Sequence, residues 1–194
     1  MTAEKKPLTQ DEIRETIFQL HDYHAYKING EKNPQFDKNS GRILDLKNPK
    51  CGGYVSAVAY YQKDLASRLA KRSGLKTWTL VGAVVPSHEA GKDSPGLSAI
   101  MTYLAQQFPI KFPPNPLLRV TTVDKLTAGG NRSKEVHLDS IIVQPKTVQK
   151  GSMVILLDDV STSGNSIYAC EELLLSAGAA IVLKIALAKT KQHE

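Results

Sequence analysis

Residues 154–166 read Val154-Ile155-Leu156-Leu157-Asp158-Asp159-Val160-Ser161-Thr162-Ser163-Gly164-Asn165-Ser166. An unbroken apolar run bounded by turn residues suits a strand buried on both faces, as a parallel sheet requires. Such a strand delivers Asp158 and Asp159 at its exit. The hydroxyl-rich turn then opens a helical pattern over 165–177 that stops at Gly178. Several backbone N–H groups and the positive end of a helix dipole therefore converge on one point, which suits a phosphate monoester. Gly164 permits close backbone approach or a positive φ, and Ser161, Thr162, Ser163 and Ser166 add hydroxyl donors without bulk or charge. Two carboxylates beside an anion site need a separate task. They can accept hydrogen bonds from vicinal sugar hydroxyls or hold Mg²⁺ through water. The run thus suits a phosphorylated ribose, with phosphate on the amides and diol on the acids. The plainer alternative is a strand that ends on two acids, with Ser161 or Thr162 capping the next helix.

Outward from this run, strands and helices alternate. Residues 77–85 (TWTLVGAVV) read as a buried strand, 86–96 as a polar loop and 97–108 as a helix with Leu97, Ile100, Met101 and Leu104 inward. A Pro-rich connector spans 109–116. Residues 117–123 and 141–143 read as strands, 124–134 as a Gly-containing loop, 153–157 as the central strand and 181–188 as a further strand. This order implies right-handed crossovers and an α/β fold: a mostly parallel twisted sheet covered on both faces, in three Rossmann-like layers. Ligands in such sheets sit beyond the C-terminal strand ends, so the loops starting at Pro86 and Asp158 are the places to look.

The stretch before residue 76 has a different texture. A capping box at Thr9 and Glu12, with Leu8 stapled to Ile13, predicts a helix whose apolar face runs Ile13, Ile17, Leu20 and His24. Residues 29–53 are rich in Asn, Gly, Pro and Lys and read as a loop or hairpin excursion, with residues 42–46 as a short strand. A second helix is expected over 54–73, with Val58, Tyr61, Leu65 and Leu69 on one face. We expect residues 1–75 to cap a core of residues 76–194 without forming an independent domain. His21 and His24 lack a further ligand pattern, and Cys170 and Trp78 read as packing residues.

Composition bounds the function. With 194 residues, 41% hydrophobic and 23% charged, the chain suits one globular domain rather than a disordered, collagenous or coiled-coil chain. No apolar run approaches a membrane span, and residues 1–7 are polar with no signal-like block following, so the expected compartment is the cytoplasm. Two cysteines are too few for a disulfide scaffold or a four-thiolate zinc site. The net charge of +6 points to a polyanionic partner without choosing among nucleic acid, membrane surface and phosphorylated small molecule.

The run over 154–166 resembles the phosphoribosyl pyrophosphate (PRPP) signature of type I phosphoribosyltransferases: an apolar strand, Asp-Asp, then a Thr/Ser-Gly turn. Asp-Asp-Val-Ser-Thr-Ser-Gly-Asn-Ser is most similar to the small competence-associated (ComF-like) and related bacterial proteins. The cysteine-rich zinc module that often precedes ComF-like domains is not seen, and Ser161 stands where an aliphatic residue is common. The resemblance implies that Asp158 and Asp159 are catalytic, positioning the ribose hydroxyls and binding Mg²⁺ through water. It implies a 5′-phosphate anchor of Val160, Ser161, Thr162, Ser163, Gly164, Asn165 and Ser166. It also implies a pyrophosphate loop after the first core strand, with Ser87, His88 and Lys92, in which Glu89 and Asp93 weaken the electrostatics unless they point away or face Mg²⁺. A closing loop over 125–134 would bring Lys125 and Arg132 to the departing diphosphate, with His137 and Asp139 near enough in sequence to orient Arg132.

The activity so implied is Mg²⁺-dependent transfer of 5-phosphoribose from PRPP to a nitrogenous small-molecule acceptor, in a soluble protein that could be a homodimer. No orotate-, adenine- or guanine-specific pattern marks the acceptor. Two other classes stay open: a PRPP-responsive regulatory protein without transferase activity, and a nucleic-acid-associated protein using the lysine-rich N-terminal half.

Overall fold

The computed structural model describes residues 9–123 and 133–191. In chain order the elements are α1 (Gln10–Glu15), β1 (Ile17–Tyr23), the hairpin strands β2 (Lys27–Ile28) and β3 (Glu31–Lys32), α2 (Lys38–Lys47) and α3 (Tyr54–Ala70). A 3-10 turn (Ser73–Thr77) precedes β4 (Leu80–Val84), α4 (Pro95–Gln107), β5 (Ile110–Lys111) and β6 (Leu117–Arg119). Then come α5 (Lys134–Ser140), β7 (Ile141–Val143), β8 (Met153–Ser161), α6 (Asn165–Ser176) and β9 (Ile181–Thr190).

Five strands form one sheet in the order β1-β9-β8-β4-β5, and every pairing in it is parallel. The expected α/β architecture is what the chain adopts. Alternation along the central strands sorts side chains into two layers. Leu80, Val84, Ile155, Leu157, Leu183 and Ile185 pack with α2, α3 and α4 on one face. Val81, Ala83, Val154, Leu156 and Val182 pack with α6 and the strands β6 and β7 on the other. Burying each Val, Leu or Ile stabilises by about 1.5–3 kcal/mol, so a strand such as β8, buried throughout residues 153–158, has no solvent-facing alternative.

Four local expectations are corrected. The N-terminal helix stops at Glu15, and residues 17–23 form β1, paired with β9 from Ile17↔Lys184 to Tyr23↔Thr190. The capping box at Thr9 and Glu12 does form, but Thr16 is extended and the β-prone Ile17 and Phe18 satisfy the hydrogen bonds of an otherwise open edge. Residues 42–46, expected as a strand, lie inside α2. Asp37 caps that helix by accepting from the Ser40 N–H at 2.7 Å, and Ser40, Ile43 and Leu46 share its buried side. Within the Pro-rich connector, Ile110 and Lys111 form an edge strand beside β4. The strands β6 and β7 leave the main sheet and pair antiparallel with each other, with α5 between them in sequence.

A buried cation fastens the N-terminus. Lys184, fully buried, donates to the Arg14 carbonyl at 2.8 Å and pairs with Glu171 of α6, tying the end of α1 to the sheet.

Candidate functional site

A cleft of about 820 Å³ opens at the C-terminal ends of β4, β8 and β9. Asp158 and Asp159 are the sixth and seventh of the nine residues of β8, inside the strand rather than beyond it, because pairing with β9 continues through Ser161↔Lys189. Alternation along the strand separates the two acids. Asp158 is 7% exposed and faces inward, while Asp159 is partly open to solvent.

Their partners differ accordingly. One oxygen of Asp158 accepts from the Asp159 N–H at 2.9 Å, and the other takes a long contact, 3.5 Å, from the Ser166 hydroxyl. Asp159 accepts from the Val160 N–H at 2.6 Å through Oδ1, and its Oδ2 meets the Lys47 ammonium at 3.1 Å. Burial, reinforced by the charge of Asp159, pushes the Asp158 carboxyl up to about 7. The Lys47 ammonium on the neighbouring acid offsets only part of this rise.

The turn after β8 is built as its residue types require. Gly164 is buried, left-handed at φ 82°, and occupies the cap of α6 with no side-chain cap bond. A Cβ there would stand 2.9 Å from the Tyr168 ring and 3.0 Å from Ile17, so only glycine fits. Thr162 Oγ1 bonds Thr190 Oγ1 at 2.8 Å, pinning the turn to β9, and the Ser163 hydroxyl accepts from the Asn165 N–H at 3.4 Å. Val160, Thr162 and Ser166 border the cleft. Ser161 is 6% exposed and sits within the sheet pairing.

Ser87, His88 and Lys92 line the opposite wall, in the loop after β4. That loop is stitched to the segment after β6: the Gly91 N–H donates to the Arg119 carbonyl, the Ala90 N–H to Thr122, and the Val123 N–H to the His88 carbonyl. Glu89 pairs with Lys92 and lies 3.7 Å from the His88 ring, so one of the loop's two acids is offset within the loop, while Asp93 lines the cleft. Lys125 and Arg132 lie outside the described residues.

Two further residues enter the site that sequence reasoning did not assign to it. Arg119, 2% exposed, donates from Nε to the Ser87 carbonyl at 2.6 Å and also bonds Ser140 and His137 Nδ1, so His137 meets Arg119. Lys47, at the end of α2, reaches Asp159 because α2 lies directly against the first turn of α4. A Cβ on Gly96 would be 2.6 Å from the Leu46 carbonyl oxygen, so this close approach depends on glycine.

The donor set fits a hard divalent cation that keeps most of its water. Asp158 and Asp159 present carboxylate oxygens of the kind such an ion takes, and among the described residues no trio of His, Cys, Asp or Glu gathers to enclose an ion. An ion of the Mg²⁺ kind held by one or two carboxylates completes its shell with water and substrate phosphate oxygens. No described helix is long and apolar enough to cross a membrane.

No protein-family model matches the sequence, and no curated protein matches it. Among solved structures, adenine phosphoribosyltransferase from Leishmania tarentolae is similar at 17% identity, with 93% of this chain and 73% of that one covered and a TM-score of 0.45. Adenine phosphoribosyltransferase from Thermoanaerobacter pseudethanolicus is similar at 17% identity, over 94% of this chain and 100% of that one, with a TM-score of 0.43. Phosphoribosylpyrophosphate synthetase from Mycobacterium smegmatis is similar at 19% identity over 66% of this chain, with a TM-score of 0.40; the match spans 33% of the synthetase's length.

Proposed function

We propose that the protein binds phosphoribosyl pyrophosphate and transfers its 5-phosphoribosyl group to a nitrogenous small molecule, releasing pyrophosphate. One observation carries this reading: paired acids of opposite exposure, Asp158 and Asp159, share a cleft with the glycine-capped, side-chain-uncapped start of α6. A diol-binding acid pair beside a phosphate-binding helix end is what a 5-phosphorylated ribose needs. In this reading residues 160–166 hold the 5′-phosphate, supplying binding energy away from the anomeric carbon. Asp158 and Asp159 orient the ribose hydroxyls, and their negative charge favours the positive charge that develops on the ring as the C–O bond to diphosphate breaks. Ser87, His88 and Lys92 bind the diphosphate, joined by Lys125 and Arg132 from the loop over 125–134. Mg²⁺, when bound, supplies positive charge that stabilises the leaving diphosphate. The part of residues 1–75 outside the sheet strand β1 is proposed to form the hood that contacts the acceptor, and the proposed compartment is the cytoplasm.

A calorimetric titration with PRPP and Mg²⁺ tests the reading, followed by pyrophosphate release against a panel of bases and amines. Saturable PRPP binding that Asp158→Asn/Asp159→Asn removes supports it; binding untouched by that double substitution rejects the assignment. Binding without pyrophosphate release for any acceptor would mark a PRPP-responsive regulator, a reading favoured by one feature: an ammonium already sits on Asp159.

A further inference from the structure

Lys47 is the one side chain from outside the β8–α6 unit that makes an ion pair with the acidic pair, among the described residues. Its ammonium stands 3.1 Å from Asp159 Oδ2, the oxygen that the strand's own N–H groups leave over, since Oδ1 is taken by Val160. Both partners remain partly accessible, at 48% and 25%, so the contact can open without unfolding the site. The lysine is presented by the last turn of α2, where the helix carbonyls favour a cation, and α2 is fixed in place by its close approach to Gly96. A divalent ion engaging the acidic pair would meet this ammonium directly, with like charges a few ångströms apart and little room for both.

We propose that Lys47 is a resident counter-cation that competes with divalent metal for Asp159, so that the empty cleft holds metal weakly. This rests on the reading of Asp158 and Asp159 as metal-binding residues. Lys47 thereby makes the site selective: an oxyanion ligand that arrives with its own cation displaces the ammonium, whereas free metal alone gains little. The interaction is a half-exposed ion pair, so its removal changes affinity modestly, by about fivefold.

Mn²⁺ serves as the probe, with its uptake followed by electron paramagnetic resonance on the free protein. Lys47→Met is expected to bind Mn²⁺ about fivefold more tightly than the wild type, and Lys47→Arg, which keeps the charge, to remain near the wild type. Adding Asp159→Asn to Lys47→Met should abolish the gain. Equal Mn²⁺ affinity in Lys47→Met and wild type overturns the proposal, as does tightening by Lys47→Arg, a gain that survives Asp159→Asn, or no Mn²⁺ binding in any variant. Circular dichroism of each variant confirms that a half-exposed lysine has been replaced without loss of fold. The outcome is separable from the functional reading. Failure of the wild type to bind PRPP would reject that reading while a Lys47→Met gain in Mn²⁺ affinity would still stand.

Discussion

Arg119 Nε donates to the carbonyl oxygen of Ser87 at 2.6 Å, so the strand β6 holds the loop after β4 from below. The guanidinium is nearly inaccessible and also bonds Ser140 and His137. Its fork geometry spans these three partners at once, which a lysine ammonium cannot reproduce. Arg119→Lys or Arg119→Met therefore leaves buried acceptors unsatisfied. We expect a loss of about 3 kcal/mol in urea unfolding and weaker diphosphate binding by the same variant. Unchanged stability would mean that the loop is held by other contacts.

Ionisation of Asp158 opposes folding. Its carboxyl titrates at about 7 in the folded protein, mainly through burial, against an ordinary value of 3.8. Between those values the folded state binds the proton and the unfolded state does not, so stability falls as pH rises through this window. Asp158→Asn should remove that fall, and its stability relative to wild type should be greater at pH 8 than at pH 4 in chemical denaturation. Divalent-metal uptake needs the ionised acid and should rise as pH rises through about 7. A pH-independent difference between the two proteins would contradict the burial argument.

Gly164→Ala places a side chain at φ 82° and within 2.9 Å of the Tyr168 ring. The expected cost is about 1–3 kcal/mol, together with a loss of phosphate binding as the start of α6 shifts. Lys134→Ala, which removes an exposed pair with Glu172, should change PRPP affinity far less. The reverse ranking would place the phosphate elsewhere.

Removing the buried ammonium in Lys184→Met strands Glu171 and the carbonyl of Arg14 in the last turn of α1. A loss of about 3–5 kcal/mol is expected, with Lys184→Met/Glu171→Leu recovering part of it. Hydrogen exchange should show residues 10–15 opening first. Protection of α1 equal to wild type would show that its attachment does not depend on this lysine.

The central sheet was readable because β8 opens on an unbroken apolar run, residues 153–157, and β9 is apolar over residues 181–188 but for the buried Lys184, a pattern that a strand covered on both faces can bury. The turn over 161–166 was readable for the same local reason: glycine, hydroxyls and a following helix pattern lie within a few residues. Where local sequence misled, two periods overlapped. Ile13, Ile17 and Leu20 fit a helix face, yet Ile17 and Leu20 belong to a strand whose partner is β9. The helix α2 was hidden by Asn, Gly and Lys, and only its cap at Asp37 and the spacing of Ile43 and Leu46 betray it. Lys47 and Arg119 carried no signal at all. Their roles arise from contacts with Asp159 and Ser87, residues distant in sequence, and one lysine among many in the N-terminal half looks like solvated surface.

The pairing of β1 with β9 sets a condition on biosynthesis. The Lys184 ammonium and the Ile13 carbonyl it approaches are 171 positions apart. Closing so long a loop costs little more at equilibrium than closing one half its length, about 0.6 kcal/mol, but such distant contacts form slowly. During translation β1 emerges long before its neighbour exists, and β9, once made, presents an unpaired backbone row until β1 returns to it. For that interval the nascent protein carries an open template on which another chain could add a strand, and shielding this edge falls to the same seven-residue segment that sequence alone reads as helix.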